Sequence, residues 1–269
     1  MRSILSIAGS DSCGGAGIQA DIKTASALGV YCCTAITAVT AQNPDYIIRA
    51  DYVGDRALDA QLEAVLESIR PDAVKIGMLP CASAVRVAAR KVREYELANV
   101  VFDPVLSATC GESLSGGDGR EREETIDALL EDLLPLTTLV TPNTLEMLEL
   151  SRNEFLGNYE SAAAHLSAYN KKAFLLKGGH NEEHPCIDIL YHIDELHDCV
   201  TKASYPGTKI ETRHTHGTGC TLSTAIACYL AQGYSLTDAV RKAKAFVTMC
   251  IEKGTDTGLF DKNGPVIQF

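Results

Sequence analysis

Short apolar runs alternate with longer amphipathic stretches from the first residues to Lys177. The runs Ser3–Ala8, Cys33–Thr40, Ala73–Ile76, Val100–Phe102, Thr138–Val140 and Ala173–Leu176 are β-branched or aliphatic and flanked by turn residues, which predicts strands. Helical spacing covers Gly15–Leu28, Asp55–Ser68, Ala82–Glu94, Glu123–Leu133, Asn143–Leu150 and Tyr159–Tyr169. This alternation predicts a mostly parallel central sheet with helices on both faces, a three-layer αβα sandwich of the α/β class. Beyond Lys177 the pattern changes. Ile187–Ile193 and Glu195–Ala203 read as an antiparallel hairpin, and two helices, Gly219–Gln232 and Ser235–Lys253, close the chain. No repeat, low-complexity segment or linker interrupts the pattern, so residues 1–269 are expected to form a single domain. The glycine-rich, charged stretch Gly111–Glu124 reads as a loop able to act as a lid.

In open α/β sheets, ligands bind beyond the carboxyl ends of strands. The residues placed there are Gly9-Ser10-Asp11, Gln42-Asn43, Gly77-Met78, Asp103-Pro104, Asn143, Lys177-Gly178-Gly179 and His216-Gly217-Thr218-Gly219-Cys220. The last is the strongest local signal. Two glycines allow a tight turn that aims successive N–H groups at one point, and an amphipathic helix follows. A loop that ends on a helix N-terminus is an anion site, and Cys220 in the first turn is expected to be thiolate-prone. Lys177 is positioned to reach a phosphate as a point charge. Asn143 and Glu146, three apart at a helix start, and Asp103 at a strand end offer oxygen ligands to Mg²⁺. Singly, each of these residues reads as a cap or a surface charge. Together at the ends of one sheet they suggest phosphoryl transfer.

Other motifs fade against their surroundings. Gly15-Ala16-Gly17-Ile18-Gln19-Ala20 matches a dinucleotide fingerprint, but no acid ends the second strand, so the glycines read as turn geometry and close packing or as backbone against a ligand. His180-Asn181-Glu182-Glu183-His184 spells a zinc-protease pattern, yet Gly178-Gly179 and Pro185 exclude the helix that pattern needs, so a solvated loop is expected. Neither a Walker A sequence nor a GxSxG elbow occurs.

Composition narrows the partners. The net charge is −11, with 24 Lys and Arg against 35 Asp and Glu, which argues against a general nucleic-acid binder but leaves room for a phosphate-bearing ligand. The ten cysteines include no CxxC pair, so free, mostly buried thiols in a cytoplasmic protein are expected rather than disulfides or a structural zinc. The apolar run Ile4–Ala8 is too short for a signal sequence or a membrane span.

With these residues assembled, the sequence resembles the bacterial hydroxymethylpyrimidine/phosphomethylpyrimidine kinases of the ribokinase superfamily. The resemblance rests on Ile7–Asp11, Gly14–Lys23, Thr37–Asn43, Lys75–Leu79, Asp103-Pro104-Val105, Val140–Asn143, Leu176–His180 and Thr215–Thr221, in that order. It implies a ribokinase-like fold, a homodimer, and ATP with Mg²⁺ as cofactors. Two phosphorylations are implied, first of 4-amino-5-hydroxymethyl-2-methylpyrimidine and then of its monophosphate, on the route to thiamine diphosphate. By the same resemblance Gln42 would pair with the pyrimidine nitrogen and amino group. Ala16, Thr40, Met78 and Val105 would line the pyrimidine pocket. Gly217, Thr218, Gly219 and Cys220 would form the anion hole, with Cys220 as base where many sugar kinases carry Asp. Lys177, Asn143 and Thr218 would serve ATP, and Asp103 and Glu146 the metal.

The chain departs from the family pattern at Asp11-Ser12-Cys13, where Asp-Pro-Ser is common, and at Thr109-Cys110-Gly111, where Thr-Ser-Gly is common. Some relatives with the same loop phosphorylate pyridoxal and capture its aldehyde with a lid thiol, so Cys110 keeps pyridoxal kinase as the alternative. A binding protein without catalysis is the remaining one.

Overall fold

The computed structural model describes residues 1–106, 119–155, 157–178, 186–194, 196–255, 257–260 and 262–269. Nine strands form one sheet: β1 (Ser3–Asp11), β2 (Tyr31–Gln42), β3 (Ile47–Tyr52), β4 (Ala73–Ile76), β5 (Val100–Phe102), β6 (Leu139–Val140), β7 (Ala173–Leu176), β8 (Asp188–Asp194) and β9 (Cys199–Tyr205). Their order is β3-β2-β1-β4-β5-β6-β7-β8-β9. The pairings from β2 through β7 are parallel, while β3, β8 and β9 pair antiparallel at the two margins.

Alternation of side chains along each strand builds two cores. Ile4, Val101, Leu139 and Leu175 face α7 (Thr218–Ala231) and α8 (Leu236–Gly254) and pack with Leu222, Ile226 and Val240. Leu5, Ile7, Val100, Phe102 and Phe174 point the other way. They meet Leu58 of α2 (Asp55–Leu66), Val85 of α3 (Ala82–Glu94), Met147 of α5 (Thr144–Leu150) and Leu166 of α6 (Tyr159–Asn170). The expected αβα sandwich is therefore observed, and its fully buried parallel strands explain the continuous apolar runs.

Four details differ from the sequence reading. β3 was not expected, because its residues are mostly exposed on both sides and carry no apolar alternation; pairing with the margin of β2 forms it. α1 (Gly17–Ala27) starts after Gly15, since the N–H groups of Gly15 and Ala16 are taken by the Asp11 carboxylate. α4 (Gly119–Ala128) begins inside the stretch read as a lid. An Arg120–Glu124 pair lies along it and an Arg122–Glu149 pair ties it to α5. A wider π turn then covers Leu129–Leu133. The hairpin is present, with β9 beginning later than expected, after the left-handed Asp198. Every described cysteine is a free thiol.

Candidate active site

The carboxyl ends of the parallel strands open on a cavity of about 590 Å³. Every residue singled out for substrate, ATP or metal lies in its wall: Ala16, Thr40, Gln42, Met78, Asp103, Val105, Asn143, Glu146, Lys177, Gly217, Thr218, Gly219 and Cys220. At one end, Thr40 Oγ1 donates to the Ser10 carbonyl and Thr37 Oγ1 to the Met78 carbonyl, fixing β2 against the β1 and β4 ends. The Gln42 backbone is clasped by Ser12, while its side-chain amide has no hydrogen bond to a described residue and stays available.

The loop before α7 explains its glycines. Gly217 has φ +81°, and a Cβ there would lie 1.8 Å from the Gly15 carbonyl oxygen. Gly17 has φ +54° and meets the Gly9 carbonyl in the same way. The GxGxxA glycines thus serve close packing of the loop after β1 against the loop before α7. Thr218 Oγ1 donates to the Thr215 carbonyl at 2.6 Å. Cys220 sits in the first turn of α7, but it is not thiolate-prone as expected. Burial raises its pKa to about 11, Asp21 and Asp103 add to the rise, and the Lys75 charge and the Gly17 backbone N–H offset only part of it.

Asp103 is the hub of the polar wall. Its carboxylate accepts from Lys177 Nζ at 2.7 Å, Thr141 Oγ1 at 3.1 Å and Ser223 Oγ at 3.3 Å. Burial works against its charge, yet Lys177 and Lys75 hold its pKa below the usual value. Lys177 Nζ also lies 3.6 Å from Glu146. Burial and the neighbouring Asp103 push Glu146 up in spite of Lys177. Two carboxylates thus share one lysine at the cavity wall. Asn143 and Glu146 form a reciprocal capping box, in which Asn143 Oδ1 accepts from the Glu146 N–H and Glu146 Oε2 from the Asn143 N–H.

Some wall residues carried no sequence signal of their own. Lys75 is fully buried and bonded to Asp21 at 2.8 and 3.0 Å. A Cβ at Gly77 would lie 2.8 Å from its Nζ, which explains the glycine in Lys-Ile-Gly-Met. The wall also takes in Gly207–Ile210, Asp188 with its 2.7 Å bond from Lys244, and Val247, Thr248 and Ile251 of α8. The last three lie on a long amphipathic helix, where function and packing look alike in sequence. Cys110, residues 107–118 and the segment His180–His184 lie outside the described residues.

Behind the loop before α7, His216 Nε2 meets Asp11 Oδ2 at 2.9 Å. Burial opposes the imidazolium, but Asp11 raises the His216 pKa to about 9 from 6.5. The folded value exceeds the unfolded one, so this pair adds stability that is complete below pH 6.5 and is lost as pH rises through about 9. Denaturant titrations across that window should show wild type losing stability relative to His216→Gln as pH rises. A constant difference would refute the assignment.

Comparison with known proteins agrees with this arrangement. The Phosphomethylpyrimidine kinase family matches residues 11–267. The chain belongs to that family. It is 40% identical over 268 residues to the hydroxymethylpyrimidine/phosphomethylpyrimidine kinase of Rhizobium meliloti, covering 98% of this chain and 96% of the relative. Among solved structures, an ADP complex of Bacillus subtilis pyridoxal kinase superposes with a TM-score of 0.84 at 34% identity, covering 100% of this chain and 97% of that one. The phosphomethylpyrimidine kinase of Clostridium difficile gives 0.77 at 34% identity, covering 93% and 100%. The fold is thus that of the ribokinase-like kinases. Among the described residues, no helix is long and apolar enough to cross a membrane.

Proposed function

We propose that the chain transfers the γ-phosphoryl group of ATP to the hydroxymethyl group of 4-amino-5-hydroxymethyl-2-methylpyrimidine, and then phosphorylates the resulting monophosphate to the diphosphate. The observation that carries this reading is the single cavity shared by Gln42 and the 217–220 loop, with the Asp103–Lys177–Glu146 cluster in the same wall. The Gln42 amide offers a donor and an acceptor side by side, which suits an aminopyrimidine edge. The N–H groups at the start of α7 hold the moving phosphoryl group, and Lys177 neutralises charge beside it. Cys220 takes the hydroxyl proton. Phosphoryl transfer passes through a loose transition state, so alignment of the attacking oxygen matters more than base strength. The nucleotide base belongs at the Val247–Ile251 end.

The residues fit Mg²⁺. Asp103 and Glu146 are hard oxygen donors at one cavity wall, where burial first and the Asp103 charge next push the Glu146 pKa up. Those two residues would hold the ion, which supplies charge neutralisation on the phosphates. Cytoplasmic placement and a homodimer belong to the same reading. Exposed Val39, Ile48 and Tyr52 on β2 and β3 support the dimer.

ADP release measured with the hydroxymethylpyrimidine and with pyridoxal in parallel tests the substrate. Faster turnover of the pyrimidine is expected. In Gln42→Leu, loss of the paired hydrogen bonds should raise its KM about tenfold or more with a smaller change in kcat. Tight pyrimidine binding without ADP release would instead mark a non-catalytic binder. Preference for pyridoxal would favour the second reading, which rests on the similarity to the pyridoxal kinase structure.

A further inference from the structure

A second polar cluster adjoins the cavity wall through His216, while its other two members, Asp11 and Cys13, lie outside that wall. Asp11, Cys13 and His216 bring a carboxylate oxygen, a thiol sulfur and a ring nitrogen within 4.8 Å of one another. Asp11 and His216 are buried, while Cys13 keeps partial exposure. Among the described residues no other group of three such donors converges this closely. Asp11 ends β1, Cys13 lies in the turn after it, and His216 comes from the loop before α7, more than 200 residues away.

We propose that this cluster is a binding site for a thiophilic divalent cation of the zinc type, distinct from the Mg²⁺ site. The donor set is the argument. Thiolate with imidazole selects zinc or cobalt over magnesium, which demands hard oxygens. A tetrahedral zinc site spaces its donor atoms roughly 3.5 Å apart, given metal–ligand bonds of about 2.0–2.3 Å. The observed spacings bracket that figure, from 2.9 Å between His216 and Asp11 to the 4.8 Å limit of the group. The ion would replace the His216 proton now shared with Asp11 and the Cys13 thiol proton, releasing both to solvent. Water would complete the fourth position.

The surroundings supply what such a site needs. Asp11 is already oriented by the N–H groups of Cys13, Gly15 and Ala16 at 2.8–3.0 Å, so its carboxylate is fixed in advance. Cys13 also lines an open surface cavity of about 420 Å³ with Asn43, Asp45 and Lys262, which gives an ion a route in. Cys13 stands where the resemblance noted above has serine, so the site belongs to this chain rather than to the family pattern.

Its position gives the ion a consequence. His216 directly precedes Gly217, and the Gly15 carbonyl abuts Gly217. With Asp11 held in place, an ion widens the 2.9 Å Asp11–His216 contact toward the spacing of about 3.5 Å of a tetrahedral site and so shifts the loop before α7 that shapes the phosphoryl site. Inhibition by zinc in the presence of excess Mg²⁺ and ATP is therefore expected. That part rests on the kinase reading; binding itself does not.

Titration with Co²⁺ reads the site without any activity. One Co²⁺ per chain should give a thiolate-to-cobalt charge-transfer band that Zn²⁺ abolishes. Cys13→Ser should lose the band and weaken the ion at least about tenfold, while keeping its fold by circular dichroism and its turnover. Cys199→Ser, which alters an exposed thiol elsewhere, should keep the band. Zn²⁺ should also protect Cys13 from iodoacetamide, read by peptide mass, until a chelator is added. Absence of the band in wild type, or its persistence in Cys13→Ser, would overturn the proposal.

Discussion

Cys220→Ala is expected to lower kcat on the hydroxymethylpyrimidine by about 100-fold or more, the usual contribution of a positioned base, while ATP affinity stays near wild type. The pH dependence makes the prediction specific. With a thiol pKa of about 11, on the order of one molecule in ten thousand carries the thiolate at neutral pH. If that thiolate takes the proton, log kcat rises with pH across the neutral and mildly alkaline range without reaching a plateau. Cys220→Ala must then be flat over the same range. Cys220→Asp should bring the plateau into the acid range, since a carboxylate is ionised there. A wild-type rate that does not respond to pH, or an alanine variant with near-normal turnover, would remove Cys220 as the base. Catalysis would then rest on alignment by the 217–220 loop alone.

The case of Cys220 also shows where the sequence was informative. Its place in the first turn of α7 was legible, because glycines followed by an amphipathic helix specify a loop ending on a helix N-terminus. Its pKa was not, because it depends on burial and on the charges of Lys75, Asp21 and Asp103, which reach it from distant parts of the chain. Strand ends predicted the cavity wall well, since short continuous apolar runs bounded by turn residues fix where β1, β4, β5 and β7 stop. β3 escaped notice because a strand exposed on both sides has no apolar period. Three-residue spacing brought Asn143 and Glu146 together, but that spacing fits a capping box and a metal site alike, and the hydrogen bonds show the capping box. The part of the cavity wall between Gly207–Ile210 and Val247–Ile251 and the Asp11–His216 pair depend on contacts between distant parts of the chain, which spacing does not encode.

Lys75→Met is expected to cause the largest loss of stability. The Lys75 ammonium and the Asp21 carboxylate are both fully buried and meet at 2.8 Å. Asp21 also accepts from Ser6 Oγ and Thr224 Oγ1, each at 2.6 Å. Methionine fills the volume but leaves that carboxylate buried without a cation, which costs about 3–5 kcal/mol. In a domain of this size that corresponds to a fall in Tm of roughly 10 °C. Lys75→Met with Asp21→Asn removes both charges, so the double variant should recover at least about 1 kcal/mol relative to the sum of the two singles. The pair also has a reason beyond stability. Thr224 lies one turn after Cys220 on α7, so Asp21 ties that turn to β1 and β4, while the Lys75 charge draws the thiol pKa down against burial. The double variant should therefore regain stability without regaining turnover. If stability and kcat recovered together, Lys75 and Asp21 would be a structural pair only, and the electrostatic hold on Cys220 would have to come from Lys177 and the helix N-terminus.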